Sequence, residues 1–298
     1  MHFKAPSSIL FSFILIQKET YIRVCVMTIL ITGANRGIGF LLVKKLVESS
    51  SIPNQIILLG CRDLKRGEEA LQKLNSPSNV HLLQLDISSS TSILHAVEEI
   101  KEKYNGQIDI LINNAAIFTT ELDFSRAREL FDTNYYGIRL LNENLVDLMS
   151  KNGRIINVAS RVGLNVLRDC SVELQQKYLS SELTKNQLDQ LVQDFLNSSF
   201  ENLGYSPKSE CLIYGVSKLA LICLTQIEAR QWPHLTIVSV TPGFCATDMT
   251  QYDSNARSPE LGADSILYVV NTPKDQLVNG AFYRDGIQLP LIDAVSFS

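Results

Sequence analysis

Short apolar runs alternate with amphipathic stretches from residue 28 to the C-terminal region. This alternation is typical of repeated strand–helix–strand units, so it predicts an α/β fold with a doubly wound parallel sheet. The predicted strands cover residues 29–32, 55–59, 80–85, 108–112, 154–159, 235–240 and 281–283. The predicted helices cover residues 38–47, 92–104, the region 122–149, 172–178, 182–200, 214–230 and 260–270. With 298 residues, 45% of them hydrophobic, the chain can bury one large core, and we expect a single domain over residues 27–298.

The first 26 residues stand apart from this pattern. An apolar run at 9–16, interrupted only by Ser12, is too short to span a bilayer. It has the length of the apolar part of a signal peptide, but no small-residue cleavage site follows it. Because Met27 directly precedes the first predicted strand, residues 1–26 are interpreted as an extension outside the core, for which a targeting role stays open. No other segment is expected to approach a membrane span, and we expect a cytoplasmic protein.

Three glycines lie between the first predicted strand and the first predicted helix, in the stretch TGANRGIG. Glycine suits this place because the backbone must turn tightly, approach a pyrophosphate closely and lead into a helix whose N-terminal amides face the anion. The alternative is a purely structural turn. The stretch predicts a dinucleotide-binding loop with the candidate contacts Gly33, Asn35, Arg36, Gly37, Ile38 and Gly39.

Basic residues after the second predicted strand indicate which dinucleotide is bound. Arg62 lies 23 residues after Gly39, Arg66 lies one helical turn further on, and Arg36 belongs to the glycine loop. Three cations suit a 2′-phosphate and therefore predict NADP(H) rather than NAD(H). Asp63 argues the other way, since a carboxylate there suits a free 2′-hydroxyl. The alternative for the arginines is that they are ordinary solvated cations.

Polar or small residues follow three later strands, at the edge where open α/β sheets bind ligands. Asp86 and Ile87 follow the third strand and are candidates for holding the adenine. Asn113 and Ala115, in the stretch NNAA, follow the fourth strand, where small side chains allow the backbone to lie against a ribose or nicotinamide. Ser160 follows the fifth strand and is predicted to face the same site.

Tyr214 and Lys218 lie one turn apart at the start of a strongly apolar predicted helix and so share one face. An ammonium beside a phenol favours the phenolate, so we expect it to bring the pKa of Tyr214 from about 10 toward neutrality. This pattern alone is common in helices, and it gains weight from the glycine loop upstream. Asn134 lies inside a predicted helix, where its side chain competes with backbone hydrogen bonds, so it is expected on a solvated face or in a structural role.

Charge and cysteine content argue against several other classes of protein. The formal net charge of −4 and the pI near 5.7 provide no sequence-wide positive field for nucleic acid. Six scattered cysteines, without a Cys-x-x-Cys pair or a histidine cluster, indicate neither a zinc site nor a disulfide framework, and favour a reducing compartment. None of the four histidines lies near Ser160 in sequence, so a Ser–His hydrolase is not favoured.

The motifs TGANRGIG, NNAA, Ser160, YGVSK and PGFCATDM, in this order and spacing, resemble the short-chain dehydrogenase/reductase family over residues 28 to about 284. Within that family the chain is most similar to the monomeric carbonyl reductases that use NADPH. The stretch CSVELQQKY at 170–178 is especially similar to theirs. The resemblance implies a Rossmann fold with a helical insertion at about 164–212, before the catalytic Tyr helix, and a monomer.

The same resemblance implies a reaction, the reduction of aldehydes, ketones and quinones to alcohols by hydride transfer from NADPH. Tyr214 would be the general acid, and Lys218 would lower its pKa and hold the nicotinamide ribose. Ser160 would bond the developing oxyanion, and Asn134 would hold a water of a proton relay. Besides Tyr214 and Lys218, the implied cofactor contacts are Pro242, Gly243 and Thr247, and the implied substrate contacts are Ser160, Val162, Tyr214 and Phe244.

Four positions depart from the family pattern. Ala116 stands where Gly is usual, Ala159 where these reductases usually have Ser, Arg161 where an apolar residue is common, and Phe244 where this subgroup tends to have Trp. We expect a broad preference for apolar carbonyl compounds. Two alternatives stay open: a narrower dehydrogenase of steroids, prostaglandins or retinoids, and a non-catalytic NADPH-binding regulatory protein. The second is disfavoured because both the Tyr and the Lys are present.

Overall fold

The computed structural model describes residues 26–49, 54–104, 106–197 and 199–291. The predicted extension at 1–26 therefore lies outside the described residues except for Val26. The strands are β1 Met27–Thr32, β2 Gln55–Cys61, β3 Val80–Gln84, β4 Ile108–Asn113, β5 Met149–Val158, β6 Thr236–Val240, β7 Phe282–Arg284 and β8 Ile287–Leu289. The helices are α1 Gly37–Glu48, α2 Leu64–Lys73, α3 Ser90–Lys103, α4 Ala127–Phe131, α5 Ile138–Leu145, α6 Arg161–Asp169, α7 Val172–Leu179, α8 Lys185–Asn197, α9 Leu212–Gln231 and α10 Pro259–Asn271.

The eight strands form one sheet in the order β3-β2-β1-β4-β5-β6-β7-β8. All neighbours pair in parallel except β7 and β8, which are antiparallel. The predicted doubly wound parallel sheet is thus confirmed. The strand order reverses between β1 and β4, and a crevice at such a reversal is where open α/β sheets bind ligands.

Both faces of the sheet are buried, which explains why its strands read as continuous apolar runs. In β1 the side chain of Leu30 belongs to one core layer, whereas Ile29 and Ile31 belong to the other, and all three are 0% exposed. One layer contains α3, α5 and α9, and the other contains α1 and α10. The carboxyl ends of the strands are thereby held rigidly at one edge.

The local structure differs from the predicted elements in four places. Helix α2 was not predicted because its apolar positions are few, but the Asp63 carboxylate caps it by accepting from the Arg66 amide at 3.2 Å. Helix α6 was also missed, and it begins where the Ser160 side chain accepts from the Val162 amide. The helical region predicted at 122–149 begins only at Ala127 and ends before β5, and it contains one π-helical stretch, Asp132–Gly137. The fourth difference is strand β8, Ile287–Leu289, which was not predicted.

Within the described residues, α9 is long and apolar enough to cross a membrane, with a mean hydropathy of 1.4. The expectation that nothing beyond the extension approaches a span was therefore wrong by length and composition. The reason is burial: 89% of the apolar window lies inside the protein, where α9 packs between the sheet and the helices α6 and α8. A helix enclosed on several sides needs an apolar surface all round.

Candidate active site

A cavity of about 710 Å³ opens at the carboxyl edge of the sheet, within the range of roughly 300–1,000 Å³ typical of ligand pockets. It brings together most of the predicted site residues. The members that line it are Gly33, Asn35, Arg36, Gly37, Ile38, Arg62, Arg66, Asp86, Ile87, Ala115, Ser160, Val162, Tyr214, Lys218, Pro242, Gly243, Phe244 and Thr247. Three predicted residues, Gly39, Asn113 and Asn134, are not part of its wall.

The glycine loop has the backbone geometry that an anion site requires. Gly33 and Gly37 have φ of +63° and +56°, which a side chain disfavours. A Cβ on Gly33 would lie 3.0 Å from the Cα of Ala115, so the loop packs closely on the NNAA turn. Helix α1 begins at Gly37 without a side-chain cap, which leaves its first amides facing the cavity.

Gly39 does not line the cavity, but its lack of a side chain allows the glycine loop to pack closely on Asn114. A Cβ there would lie 2.5 Å from both the Asn114 side-chain nitrogen and the Gly33 carbonyl oxygen. The Asn114 amide group donates to the Thr32 and Gly33 carbonyls at 2.8 and 3.2 Å. Asn114, which the sequence reasoning passed over, therefore ties the end of β4 to the glycine loop and also lines the cavity.

The Asn113 side chain points into the core instead of the cavity, and the predicted contact of this residue with the cofactor stays a prediction. Its Nδ2 donates to Asn142 and Asn157 at 2.8 Å each, and Asn142 in turn donates to the fully buried Glu228 at 2.8 Å. Consecutive residues at the end of a strand face opposite sides. Asn114 therefore faces the ligand edge while Asn113 belongs to a buried polar network.

The three predicted cations all line the cavity, but their partners differ. Arg36 pairs with Asp248 at 3.4 Å, and Arg66 pairs with Asp63 at 3.5 Å. For the Arg62 guanidinium the described part of the chain provides no hydrogen-bond or ion-pair partner. Asp63, which argued against a 2′-phosphate, is occupied as the cap of α2 and as the partner of Arg66.

Asn134 lies in the π-helical stretch and clamps two segments together. Its Oδ1 accepts from the Ile117 amide at 2.9 Å, and its Nδ2 donates to the Ile117 carbonyl at 2.9 Å and to the Ser217 hydroxyl at 3.2 Å. Both side-chain N–H groups are thus used. The side chain is buried in a structural role, and its part in a water relay stays a prediction.

Ser160, Tyr214 and Lys218 meet at the inner wall of the cavity. Lys218 is 2% exposed, and its Nζ donates to the Val158 carbonyl at 2.9 Å and lies 5.8 Å from the centre of the Tyr214 ring. The Ser160 hydroxyl lies near Tyr214 and acts to lower the pKa of its phenol. The edge of the Phe118 ring packs on Tyr214, with centroids 4.8 Å apart and planes at 87°.

Burial dominates the acid–base state of this pair. It raises the pKa of Tyr214 to about 12, although the nearby Ser160 hydroxyl acts in the opposite direction. It also lowers the pKa of Lys218 to about 7. The expectation that Lys218 brings the pKa of Tyr214 toward neutrality was therefore wrong, because removal from water disfavours the charged form of each group and Lys218 is not among the groups that shift the pKa of Tyr214.

Comparison with known proteins places this site in a family. Residues 27–173 match the family model for short chain dehydrogenase. The chain is 32% identical over 268 residues to carbonyl reductase (NADPH) 1 of Mus musculus, a match that covers 86% of this chain and 95% of that protein. The chain belongs to the short-chain dehydrogenase/reductase family.

Solved structures of reductases share the architecture. Salutaridine reductase from Papaver somniferum superimposes with a TM-score of 0.75 and 27% identity, over 86% of this chain and 99% of that one. Menthone neomenthol reductase from Mentha piperita superimposes with a TM-score of 0.70 and 26% identity, over 86% of this chain and 98% of that one. As a member of this family, the chain is an oxidoreductase.

The cavity of this short-chain dehydrogenase/reductase fits a phosphorylated dinucleotide. The uncapped amides of α1 and the positive-φ Gly37 suit the pyrophosphate. The Arg62 guanidinium, which has no partner among the described residues, suits a further phosphate. Several lining residues were not predicted, among them Phe118, Cys211, Met249 and Arg284. Phe118, Cys211 and Met249 lie in loops or short helical turns and Arg284 ends the short strand β7, and no periodic pattern marks a site at such places.

Proposed function

We propose that this chain reduces carbonyl compounds to alcohols with NADPH as the cofactor. The observation that carries the proposal is the meeting of Ser160, Tyr214 and Lys218 on the wall of a cavity that also contains the glycine loop and Arg62. The carbonyl reductase of Mus musculus that the chain resembles is named for NADPH, which agrees with this charge pattern.

NADPH, when bound, supplies the hydride. Tyr214 is the proton donor to the carbonyl oxygen, and its raised pKa keeps it protonated and ready to donate at neutral pH. The Ser160 hydroxyl lies beside it and stabilises the charge that develops on the same oxygen. Because the pKa of Lys218 is near 7, the amine can hold a proton when the phenolate forms and offset its charge.

The body of the substrate is expected to be apolar, and substrates of several shapes should be accepted. Phe118, Val162, Phe244 and Met249 line the cavity, and the last two are 51% and 42% exposed without a covering segment among the described residues. An aldehyde, ketone or quinone with an apolar body would cover these side chains. Comparable kcat/KM for menadione and a short polar aldehyde would contradict this preference.

We further propose that the chain acts as a monomer in the cytoplasm. Helix α8 packs on α9, and an ion-pair group of Glu143, Lys185, Arg139 and Asp189 fastens it to α5. These contacts cover helix faces that would otherwise be open to a second subunit. Sedimentation of the purified chain at micromolar concentration tests this, and a dimer would contradict it.

The reductase proposal is tested by the loss of NADPH absorbance with menadione and an aromatic aldehyde as acceptors. In Tyr214→Phe, we expect kcat/KM to fall at least about hundredfold because the proton donor is gone. NADPH affinity, measured by fluorescence titration, should change little. Tyr104→Phe is the matched control, since Tyr104 lies outside the cavity against His81. Full activity of Tyr214→Phe would refute the assignment.

A further inference from the structure

The carboxyl end of β7 brings a charged group to the edge of the cavity. Arg284 is the last residue of β7 and lines the cavity. Strand β7 pairs with β6, and β6 pairs with β5, the strand that delivers Ser160. Arg284 therefore lies on the ligand-binding edge of the sheet, on the side away from the glycine loop.

Among the described residues, Arg284 has one carboxylate partner, which it shares with a second arginine. Arg257 takes both oxygens of Asp285, at 2.8 and 3.0 Å, whereas Arg284 reaches Asp285 only through Nε, at 3.3 Å. Two guanidinium groups thus share the carboxylate of Asp285, and Arg257 takes the larger part of it. In the described ranges the two terminal nitrogens of Arg284 have no partner, so they are available to a ligand.

The backbone around Gly243 shows where this guanidinium lies. Gly243 has φ of +79°, and a Cβ on it would lie 2.9 Å from the Arg257 Cδ and 3.4 Å from a terminal nitrogen of Arg284. The two arginines therefore occupy the space that a side chain at 243 would need. Arg257 also donates its amide to the Phe244 carbonyl at 2.8 Å, which fixes the loop that presents the Phe244 ring.

We propose that the preferred carbonyl substrates carry a carboxylate and that Arg284 is the specificity-determining residue that binds it. The proposal rests on the proposed reductase function and names the substrate class of the same site. A guanidinium anchored through Nε presents two parallel N–H groups, which match the two oxygens of a carboxylate. Phe244 beside it offers an apolar surface to the body of the substrate.

The test compares 3-(4-formylphenyl)propanoate with its methyl ester, which differs mainly in charge. We expect the acid to have the higher kcat/KM in the unaltered chain. In Arg284→Gln the acid/ester ratio should fall at least about tenfold, as expected for loss of a charge-assisted pair. Arg284→Lys keeps the positive charge but lacks the two parallel N–H groups, so it should give an intermediate acid/ester ratio. Arg128→Gln removes an exposed arginine outside the cavity and should leave the ratio unchanged.

A binding measurement separates this proposal from the reductase function. Calorimetry with the product acid, 3-(4-hydroxymethylphenyl)propanoate, and NADP+ should show binding that is weakened in Arg284→Gln. If neither substrate turns over but this binding depends on Arg284, the carboxylate site stands and the reductase proposal fails. If the ester turns over and the acid/ester ratio is the same in all variants, the carboxylate site is refuted and the reductase stands. A higher KM for NADPH in Arg284→Gln with an unchanged ratio would instead assign Arg284 to a cofactor phosphate and refute the proposal.

Discussion

The buried carboxyl group of Glu228 gives a prediction about stability that does not depend on any ligand. Glu228 lies in α9 and is 0% exposed, with one oxygen accepting from Asn142 and the other without a partner among the described residues. Burial raises its pKa from 4.5 to about 8, and of the nearby charges Lys185 and Arg139 lower the pKa while Glu143 raises it. At neutral pH the folded protein therefore holds Glu228 as a neutral acid.

The magnitude follows from proton linkage. The unfolded chain releases this proton near pH 4.5, whereas the folded protein keeps it up to about pH 8. Between these values unfolding releases one proton, so the free energy of unfolding falls by about 1.4 kcal/mol for each unit that the pH rises. The stabilisation is complete below the unfolded pKa and is lost as the pH rises through this window.

The variant Glu228→Gln removes the titration and keeps an amide oxygen for Asn142. Subtracting the unfolding free energy of the unaltered chain from that of the variant cancels every other titrating group. We expect this difference to increase by roughly 3 kcal/mol over two pH units between about pH 5.5 and 7.5. Urea unfolding followed by the fluorescence of Trp232, the only tryptophan, measures it.

Glu260→Gln is the control, since Glu260 lies in the first turn of α10 and is not among the charges that act on Glu228. Its carboxylate accepts from the Ser258 hydroxyl at 2.7 Å, which holds its pKa below the usual value. Both the folded and the unfolded forms are then ionised across the window, so the corresponding difference for this variant should not depend on pH. A pH-independent difference for Glu228→Gln would refute the neutral buried acid.

Three further substitutions test the cavity. Gly33→Ala should lower the free energy of unfolding in urea by at least about 1–2 kcal/mol because φ is positive and the new Cβ meets Ala115 at 3.0 Å; unaltered stability would contradict this geometry. Arg62→Gln should lower the ratio of NADPH to NADH affinity, measured by fluorescence titration, at least about tenfold, and an unchanged ratio would remove Arg62 from the phosphate site. Phe118→Ala should lower the free energy of unfolding by about 0.5–1.5 kcal/mol beyond the loss of apolar burial, because the edge contact with Tyr214 is lost. A double-mutant cycle with Tyr214→Phe measures this coupling energy, and a value of zero would contradict a stabilising contact.

The fold could be predicted from the sequence because periodicity and turn residues agree along most of the chain. The glycine loop and Ser160 could be placed as well, since each follows an apolar run that becomes a strand of a parallel sheet. The sequence did not distinguish the two adjacent asparagines. Only the register of β4 decides that Asn113 enters the core while Asn114 faces the ligand edge.

The C-terminal hairpin was not predicted, although the sequence contains a turn pattern that indicates it. Asp285 and Gly286 form the two-residue connection between β7 and β8, with φ of +49° and +83°. Asp-Gly between two short strand-like runs is a strong hairpin pattern because both residues tolerate positive φ. Recognising it would have placed Arg284 at the end of a strand and thus at the ligand-binding edge.

The acid–base state of Tyr214 and Lys218 marks the limit of sequence reasoning about chemistry. Their spacing correctly predicted a shared helix face, and an attraction between the two charges was the natural expectation. The sign of each pKa shift, however, depends on how far water is excluded, and that is set by Phe118, α6 and the sheet together. Because burial disfavours both charged forms, the neutral phenol and a readily titrated amine are the stable pair. A proton donor for carbonyl reduction must begin neutral, so this outcome serves the proposed reaction better than the phenolate that the spacing alone suggested.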